Sequence, residues 1–160
     1  MAKSVERVRE YFRARNIPMQ VQELAASSRT AQLAADAVGS QLGQIVKSLV
    51  FVDAEDRTIL ALGAGDRRAD PTKLAQAVHS PAVRIANAAE VRARTGFAIG
   101  GVAPVAHTDG GNIVARLIDD SLLRFDRVWA AAGAPNVVFP IELQTLLELT
   151  GAQVQDIAVE

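Results

Sequence analysis

The chain has no cysteine. That absence excludes disulfide staples, thiolate metal sites and a cysteine nucleophile in one step. It also fits a reducing compartment. Histidine is scarce as well: His79 and His107 are the only two, and no HExxH-type spacing accompanies them, so no metal centre and no cofactor is expected. A GxSxG nucleophile elbow, a Walker-type loop and a GxGxxG loop are all missing. No apolar run reaches the roughly 18 residues of a membrane span. The opening stretch MAKSVERVREYF has no apolar core of signal-peptide type. A cytoplasmic protein with no membrane partner is expected. Excess positive charge is lacking too. The formal net charge is −1, whereas proteins that grip long nucleic-acid backbones are usually strongly basic. DNA is therefore not an expected partner, and an RNA substrate would be held at one end or locally.

What the sequence does have is the material for a core. Its 160 residues are 49% hydrophobic, which suits one domain over residues 1–160 that needs no covalent staple. Val5, Val8, Tyr11 and Phe12 recur at helical spacing behind Ser4, a candidate N-cap, and Asn16 and Pro18 end that helix. Met19 and Val21 suggest a short strand. Residues 30–38 read as an Ala-rich helix stopped by Gly39. The β-branched run 45–52 reads as a central strand buried on both faces, and residues 58–62 pair back on it as a hairpin. Asp70-Pro71 starts a helix that runs to about Val78. A strand at 83–86 precedes a capping box, Asn87 with Glu90, and a short helix closed by Gly96. A glycine-rich loop spans 97–104. Strands follow at 112–118, 128–131 and 137–139, a helix at 141–150 ends at Gly151, and a last strand covers 154–159. Strands and helices mix without strict βαβ alternation. The expected architecture is α/β (α+β): a mixed, partly closed, barrel-like sheet with helices around it.

Lys47 is the most informative single residue. Strand alternation puts it on one face with Ile45, Leu49 and Phe51, where an ammonium is costly unless it reaches a cleft or an anion. A lysine that snorkels to water from the strand end is the other reading. The loop Thr95-Gly-Phe-Ala-Ile-Gly-Gly-Val-Ala-Pro104 is the second candidate. Its paired Gly100 and Gly101 let backbone approach a ligand and expose N–H groups for a carboxylate, a phosphate or a developing oxyanion. A tight connection without a ligand is the alternative. His79 falls at a helix end, where capping is its expected work. His107 follows the loop and can line the same cleft. Arg67, Arg68 and Lys73 form a modest basic cluster after the turn Gly63-Ala-Gly-Asp66.

The order of these pieces resembles a known family. Thr30-Ala-Gln-Leu-Ala-Ala35, Gly43-Gln-Ile-Val-Lys-Ser-Leu-Val-Phe51, Gly65-Asp66, Thr95-Gly-Phe97 and Gly100-Gly-Val-Ala-Pro104 look like the YbaK/ProX family. Its members are free-standing aminoacyl-tRNA deacylases related to the editing (insertion) domain of bacterial prolyl-tRNA synthetase. The resemblance spans roughly Thr30 to Gly151 and implies that fold. It implies trans-editing: hydrolysis of the ester of mischarged tRNA carrying a small amino acid, in a tRNA(Pro)-related context. The family lysine falls on Lys47 and implies contact with the tRNA 3′ end. The family GxxxP loop falls on Gly100 to Pro104, with backbone around the aminoacyl carbonyl. Lys47, Gly100 and Gly101 are thus the implied catalytic residues, and Thr30, Ser48, Gly65, Asp66, Val102, Pro104 and His107 the implied substrate-binding ones. Water would attack with help from the vicinal ribose hydroxyl, so no protein nucleophile is needed. Ala130-Ala-Ala-Gly133 is small and apolar where some relatives carry a polar pocket residue. Mischarged tRNA is the implied partner, with an aminoacyl-tRNA synthetase as a possible second. A non-catalytic binding module for tRNA ends or amino acids, and an unrelated esterase with a serine triad, are the alternatives.

Overall fold

A computed structural model describes residues 2–108 and 112–160. Helix α1 (Lys3–Ala14) is followed by β1 (Gln22–Glu23), α2 (Ala31–Val38), β2 (Ile45–Asp53), β3 (Thr58–Ala64), α3 (Pro71–Ala77), β4 (Val83–Ile85) and α4 (Ala88–Thr95). Then come β5 (Ile113–Asp119), β6 (Arg127–Ala134), β7 (Val137–Glu142), α5 (Leu143–Thr150) and β8 (Gln153–Gln155). Single 3-10 turns, Leu42–Gln44 and Asp120–Arg124, lead into β2 and β6.

The strands form one mixed sheet in the order β1-β7-β6-β2-β3-β5-β8, with β4 attached to β2 off this path. The mixed α/β architecture is as expected, and the path stays open between β1 and β8. The β2–β3 hairpin runs in uninterrupted antiparallel register from Val46↔Ala64 to Val52↔Thr58. Parallel pairs flank it: β2 with β6 and β3 with β5. Apolar residues cover both faces of β2, as its β-branched run requires. Val46, Val50 and Val52 face the main core with Val5, Val8, Phe12 and Phe139. Phe51 faces a second cluster with Ile59, Leu74 and Leu117. Ile45 joins a third with Ala34, Ala35 and Val138 beneath α2. No helix among the described residues is long and apolar enough to cross a membrane.

Local signals place most helix ends. Thr30 accepts from the Leu33 N–H and Gly39 closes α2 in the left-handed region. Asp70 caps α3 ahead of Pro71, and Asn87 and Glu90 form the reciprocal box at α4. Three expectations are corrected. Ser4 does not cap α1, which starts after Ala2; its hydroxyl donates to the Gly133 carbonyl at 2.7 Å, because the helix start lies directly on β6. A Cβ at Gly133 would sit 2.7 Å from the Ser4 carbonyl oxygen. The first strand is not at Met19 and Val21, which pack against the main core instead. The last strand stops at Gln155 because the Ile157 N–H turns to the Asp119 carboxylate rather than to a ladder partner.

Helix α4 carries the chain into the glycine loop, and its start is charge-stabilised. Arg84 grips Glu90 through two N–H···O contacts of 2.8 Å. That side-chain contact, then the Asn87 N–H, holds the Glu90 carboxyl well below its usual range, at about 2. A depressed carboxyl contributes stability that is complete above its unfolded value and lost as pH falls through the folded one. The melting-temperature difference between wild type and Glu90→Gln is therefore expected to be full near neutrality. It should vanish as pH drops from about 4.5 toward 2. A difference independent of pH would place the effect outside the carboxylate charge.

Candidate active site

The site begins with how β2 is paired. One of its edges pairs with β6 only at Ile45 and Val46 and with β4 only from Phe51 to Asp53. Between these partners no strand among the described residues pairs with the edge. The Val50 carbonyl accepts from the Ala86 N–H at 2.9 Å on that side. Alternation along a strand then turns the N–H and C=O of Ser48 toward the same opening. A cavity of about 300 Å³ fills the gap. Its walls come from β2, from Ile85 and Ala86, from Arg29, Thr30, Ala31 and Ala34 at the start of α2, from Ile99, Gly100 and Val102, and from Trp129 to Ala131 with Pro135 and Val138. The expected full burial of β2 accordingly fails in mid-strand: Lys47, Ser48 and Leu49 are only partly buried.

Lys47 borders this cavity, and its ammonium donates to the Arg67 carbonyl at 2.5 Å. Burial lowers its pKa, and the charge of Asp66 opposes that shift. Asp66 gives Lys47 no direct ion pair. Its two oxygens accept from Arg124 at 2.9 and 2.8 Å, and that contact holds the carboxyl below its usual range. Among the described residues Lys47 thus keeps a positive charge with no carboxylate on it. The neighbouring hydroxyl is unusual in another way. Ser48 Oγ is buried and has no hydrogen-bond partner among the described residues, a costly state for a hydroxyl unless a ligand completes it.

The glycine loop closes the opposite wall. Gly100 lines the cavity in a left-handed conformation (φ 84°). Gly101 does not line it; its N–H closes a turn onto the Ala98 carbonyl at 2.9 Å. A Cβ there would lie 2.9 Å from the Ala134 backbone. Gly101 therefore lets the loop press on the β6–β7 turn, and the expectation that both glycine N–H groups face the ester is corrected. Val102 is buried and contributes to the wall. Thr30 does two things, capping α2 and lining the cavity.

Gly65 and Asp66 stand behind the site. A Cβ at Gly65 would meet the Leu42 carbonyl oxygen at 2.4 Å, so this glycine seats β3 on the 3-10 turn. Pro104 and His107 line a different cavity, which corrects the shared cleft expected for His107. Its Nε2 lies 2.8 Å from the Ala103 carbonyl oxygen. Burial pushes its pKa down to about 4, and Arg116 and Arg7 press the same way. His79 follows α3 in the left-handed region. The carboxylates of Asp119, Asp120 and Asp156 lie within 4.8 Å of one another, yet Asp119 accepts from Ser121 and Ile157 and Asp156 from Lys73.

Sequence reasoning missed the apolar wall. Trp129, the chain's one tryptophan, pairs with Ile45 across β6–β2. Ile85 and Ile99 stand at the cavity 59% and 55% exposed. Large aliphatics left in water beside a cavity are a recognition signal, but exposure is invisible in a string of letters.

A model of the aminoacyl-tRNA editing domain matches residues 25–149, a span that contains every wall of the cavity. The chain belongs to the aminoacyl-tRNA editing domain family. This editing domain is 34% identical over 151 residues to the uncharacterized protein YwhH of Bacillus subtilis, covering 94% of each. It is 23% identical over 131 residues to EbsC of Enterococcus faecalis, named as a candidate Cys-tRNA(Pro)/Cys-tRNA(Cys) deacylase, covering 82% of this chain and 78% of that one. A crystal structure described as a candidate trans-editing enzyme for prolyl-tRNA synthetase superposes with a TM-score of 0.91 at 43% identity, over 100% of this chain and 99% of the other. Aminoacyl-tRNA editing is the function class these relations support.

Proposed function

We propose that this editing domain acts in trans as a deacylase. In this reading it hydrolyses the ester between a wrongly attached small amino acid and the 3′ end of a tRNA read by prolyl-tRNA synthetase. The observation that carries the reading is the open edge of β2. It gathers an uncompensated ammonium, an orphan hydroxyl and an outward N–H around one apolar cavity.

Lys47 holds the phosphate-bearing 3′ end. Ala34, Ala130 and Ala131 leave room for a small side chain, while Trp129 and Val138 bound the space; size selection of this kind is how an editing sieve works. The Ser48 N–H faces the place where the carbonyl oxygen gains charge, an oxyanion donor built into the strand. Gly100 gives the ester close access to backbone. Water attacks the carbonyl carbon, the C–O bond to the ribose breaks, and the ribose oxygen takes up a proton. The amino acid leaves as its carboxylate. The vicinal ribose hydroxyl orients that water, since among the described residues no carboxylate or imidazole lines the cavity to serve as a base. Thr30 and Val102 shape the entrance and the wall. Gly65 and Asp66 act indirectly, by seating β3 and by tuning Lys47. A role beside tRNA charging places the domain in the cytoplasm, within reach of a synthetase.

The decisive experiment compares a panel of mischarged tRNAs with the same esters on tRNA whose terminal ribose lacks the vicinal hydroxyl. Loss of general acid–base help costs typically about 10²–10⁴-fold in rate. Binding should persist and single-turnover cleavage should fall by that order. Normal cleavage would return catalysis to a side chain, and no cleavage of any mischarged tRNA would leave a binding module.

Ser48 yields a prediction of opposite signs. Replacing it with alanine removes a buried, unsatisfied hydroxyl, so the free protein should gain up to about 1 kcal/mol. The same change should raise KM, because the polar anchor for the aminoacyl group is lost. Denaturant unfolding and steady-state kinetics on one preparation check both signs; a less stable Ser48→Ala with unchanged KM contradicts the assignment.

A further inference from the structure

A second cavity, of about 600 Å³, opens where the ends of α1 and α5 meet the start of β5. The editing site does not use it. Its polar walls include Tyr11, Arg15, His107, Thr108, Asn112 and Arg116, and no carboxylate lines it among the described residues. Arg116 is partly buried, and among the described residues no hydrogen bond or ion pair engages it. Its positive charge disfavours protonation of His107. Arg15 lies over the Tyr11 ring at 3.5 Å and donates to the Tyr11 backbone carbonyl at 3.0 Å. The contrast along α1 is informative. Arg9 and Arg13 each face a glutamate one turn away, whereas Arg15, on the cavity side, has none among the described residues. Arg7 adds a third guanidinium behind the wall, donating to the Ala106 carbonyl at 3.0 Å.

Guanidinium groups that meet no carboxylate among the described residues of a polar cavity suit an anion with several oxygens, and phosphate matches the planar fork. The chain path ties the two cavities together. Val102 lines the first and Pro104 the second, so the two walls are within about 7 Å along the backbone. We propose that the second cavity binds a phosphate group, and that this phosphate belongs to the backbone of the tRNA whose ester enters the first cavity. The source of the phosphate rests on the deacylase reading; the anion site itself does not.

The test measures binding of uncharged tRNA as a function of salt, and of inorganic phosphate by titration calorimetry. Wild type is compared with Arg15→Ala, Arg116→Ala and Arg116→Lys. Each alanine variant should weaken tRNA binding roughly tenfold and lower the log–log salt slope by about 1, with Arg116→Lys recovering part of the affinity. Turnover of a minimal substrate, an amino acid esterified to adenosine, should not change. Arg15 is exposed, so its variant folds even where Arg116→Ala does not. Inorganic phosphate bound by wild type, with tRNA affinity and slope unchanged in the variants, would overturn the tRNA as source and leave a site for a free phosphate compound. Unchanged tRNA binding together with no phosphate binding would overturn the site. A protein that deacylates nothing yet shows the predicted salt slopes would sink the deacylase reading and keep the anion site.

Discussion

Lys47→Ala is expected to lower turnover of mischarged tRNA by on the order of 10²-fold, the scale of losing one preorganised electrostatic contact, with the fold intact. The ammonium is partly desolvated, and burial already lowers its pKa. The nearby carboxylate of Asp66 is bound to Arg124. Removing the charge therefore breaks no ion pair, and a single hydrogen bond to the Arg67 carbonyl is lost. Stability should hold within about 1 kcal/mol, so far-UV circular dichroism and melting temperature stay near wild type while activity collapses. Lys47→Arg should be impaired as well, since a planar fork does not fill the place of a compact point charge. Lys47→Met keeps the apolar stem and isolates the charge; wild-type turnover in that variant would remove the lysine from the mechanism. The lowered pKa also has a sign: the charged form is lost earlier on the alkaline side than for an ordinary lysine, so activity should decline at high pH before free lysine titrates.

Gly101→Val is the second large effect, and it should act on stability and activity together. The new Cβ would lie 2.9 Å from both the Cα and the carbonyl carbon of Ala134 and 3.0 Å from the nitrogen of Pro135. These are backbone atoms of the β6–β7 turn and cannot swing aside. The loop must lift, at the cost typical of overpacking, about 1–3 kcal/mol. At about 2–4 °C per kcal/mol for a chain of this size, several degrees of melting temperature are at stake. Because Gly100 and Val102 on either side line the cavity, lifting the loop also opens the wall and should remove most turnover. Gly100→Ala provides the contrast. Its methyl makes only ordinary contact, the nearest atoms being those of Pro135 at 3.9 Å, and the left-handed backbone alone resists it. The expected cost is about 1–2 kcal/mol, with the loop still seated. Equal activity losses in the two variants would refute the distinction between a seating glycine and a lining one.

Much of the fold was legible because its signals are local. Thr30 with Gly39, Asp70 with Pro71, and Asn87 with Glu90 and Gly96 each satisfy or terminate backbone groups within one turn of chain, and the structure places α2, α3 and α4 on them. The β2–β3 hairpin is a polar turn between β-branched runs, and it pairs in the register such a turn allows. The lack of a cysteine and of a serine elbow was equally plain. Lys47 stood out because an apolar strand does not carry a lysine without cause. Ser4 misled because a good local cap competes with a tertiary acceptor, and the Gly133 carbonyl prevailed.

The tertiary structure alone decided the cavity. The gap beside Ser48 exists because β6 and β4 each hold a different end of one strand edge, and those partners lie far away in the chain. No local energy reports on that. For the same reason the glycine loop divides between two cavities, with His107 in the polar one beside Arg116 rather than beside Lys47. Asp66 turns to an arginine 58 residues onward instead of to the lysine it tunes. Caps, turns and periodicity are interactions between near neighbours, written wherever the residues stand. A binding cavity is what distant segments fail to fill, and its position is set only when all of them have packed.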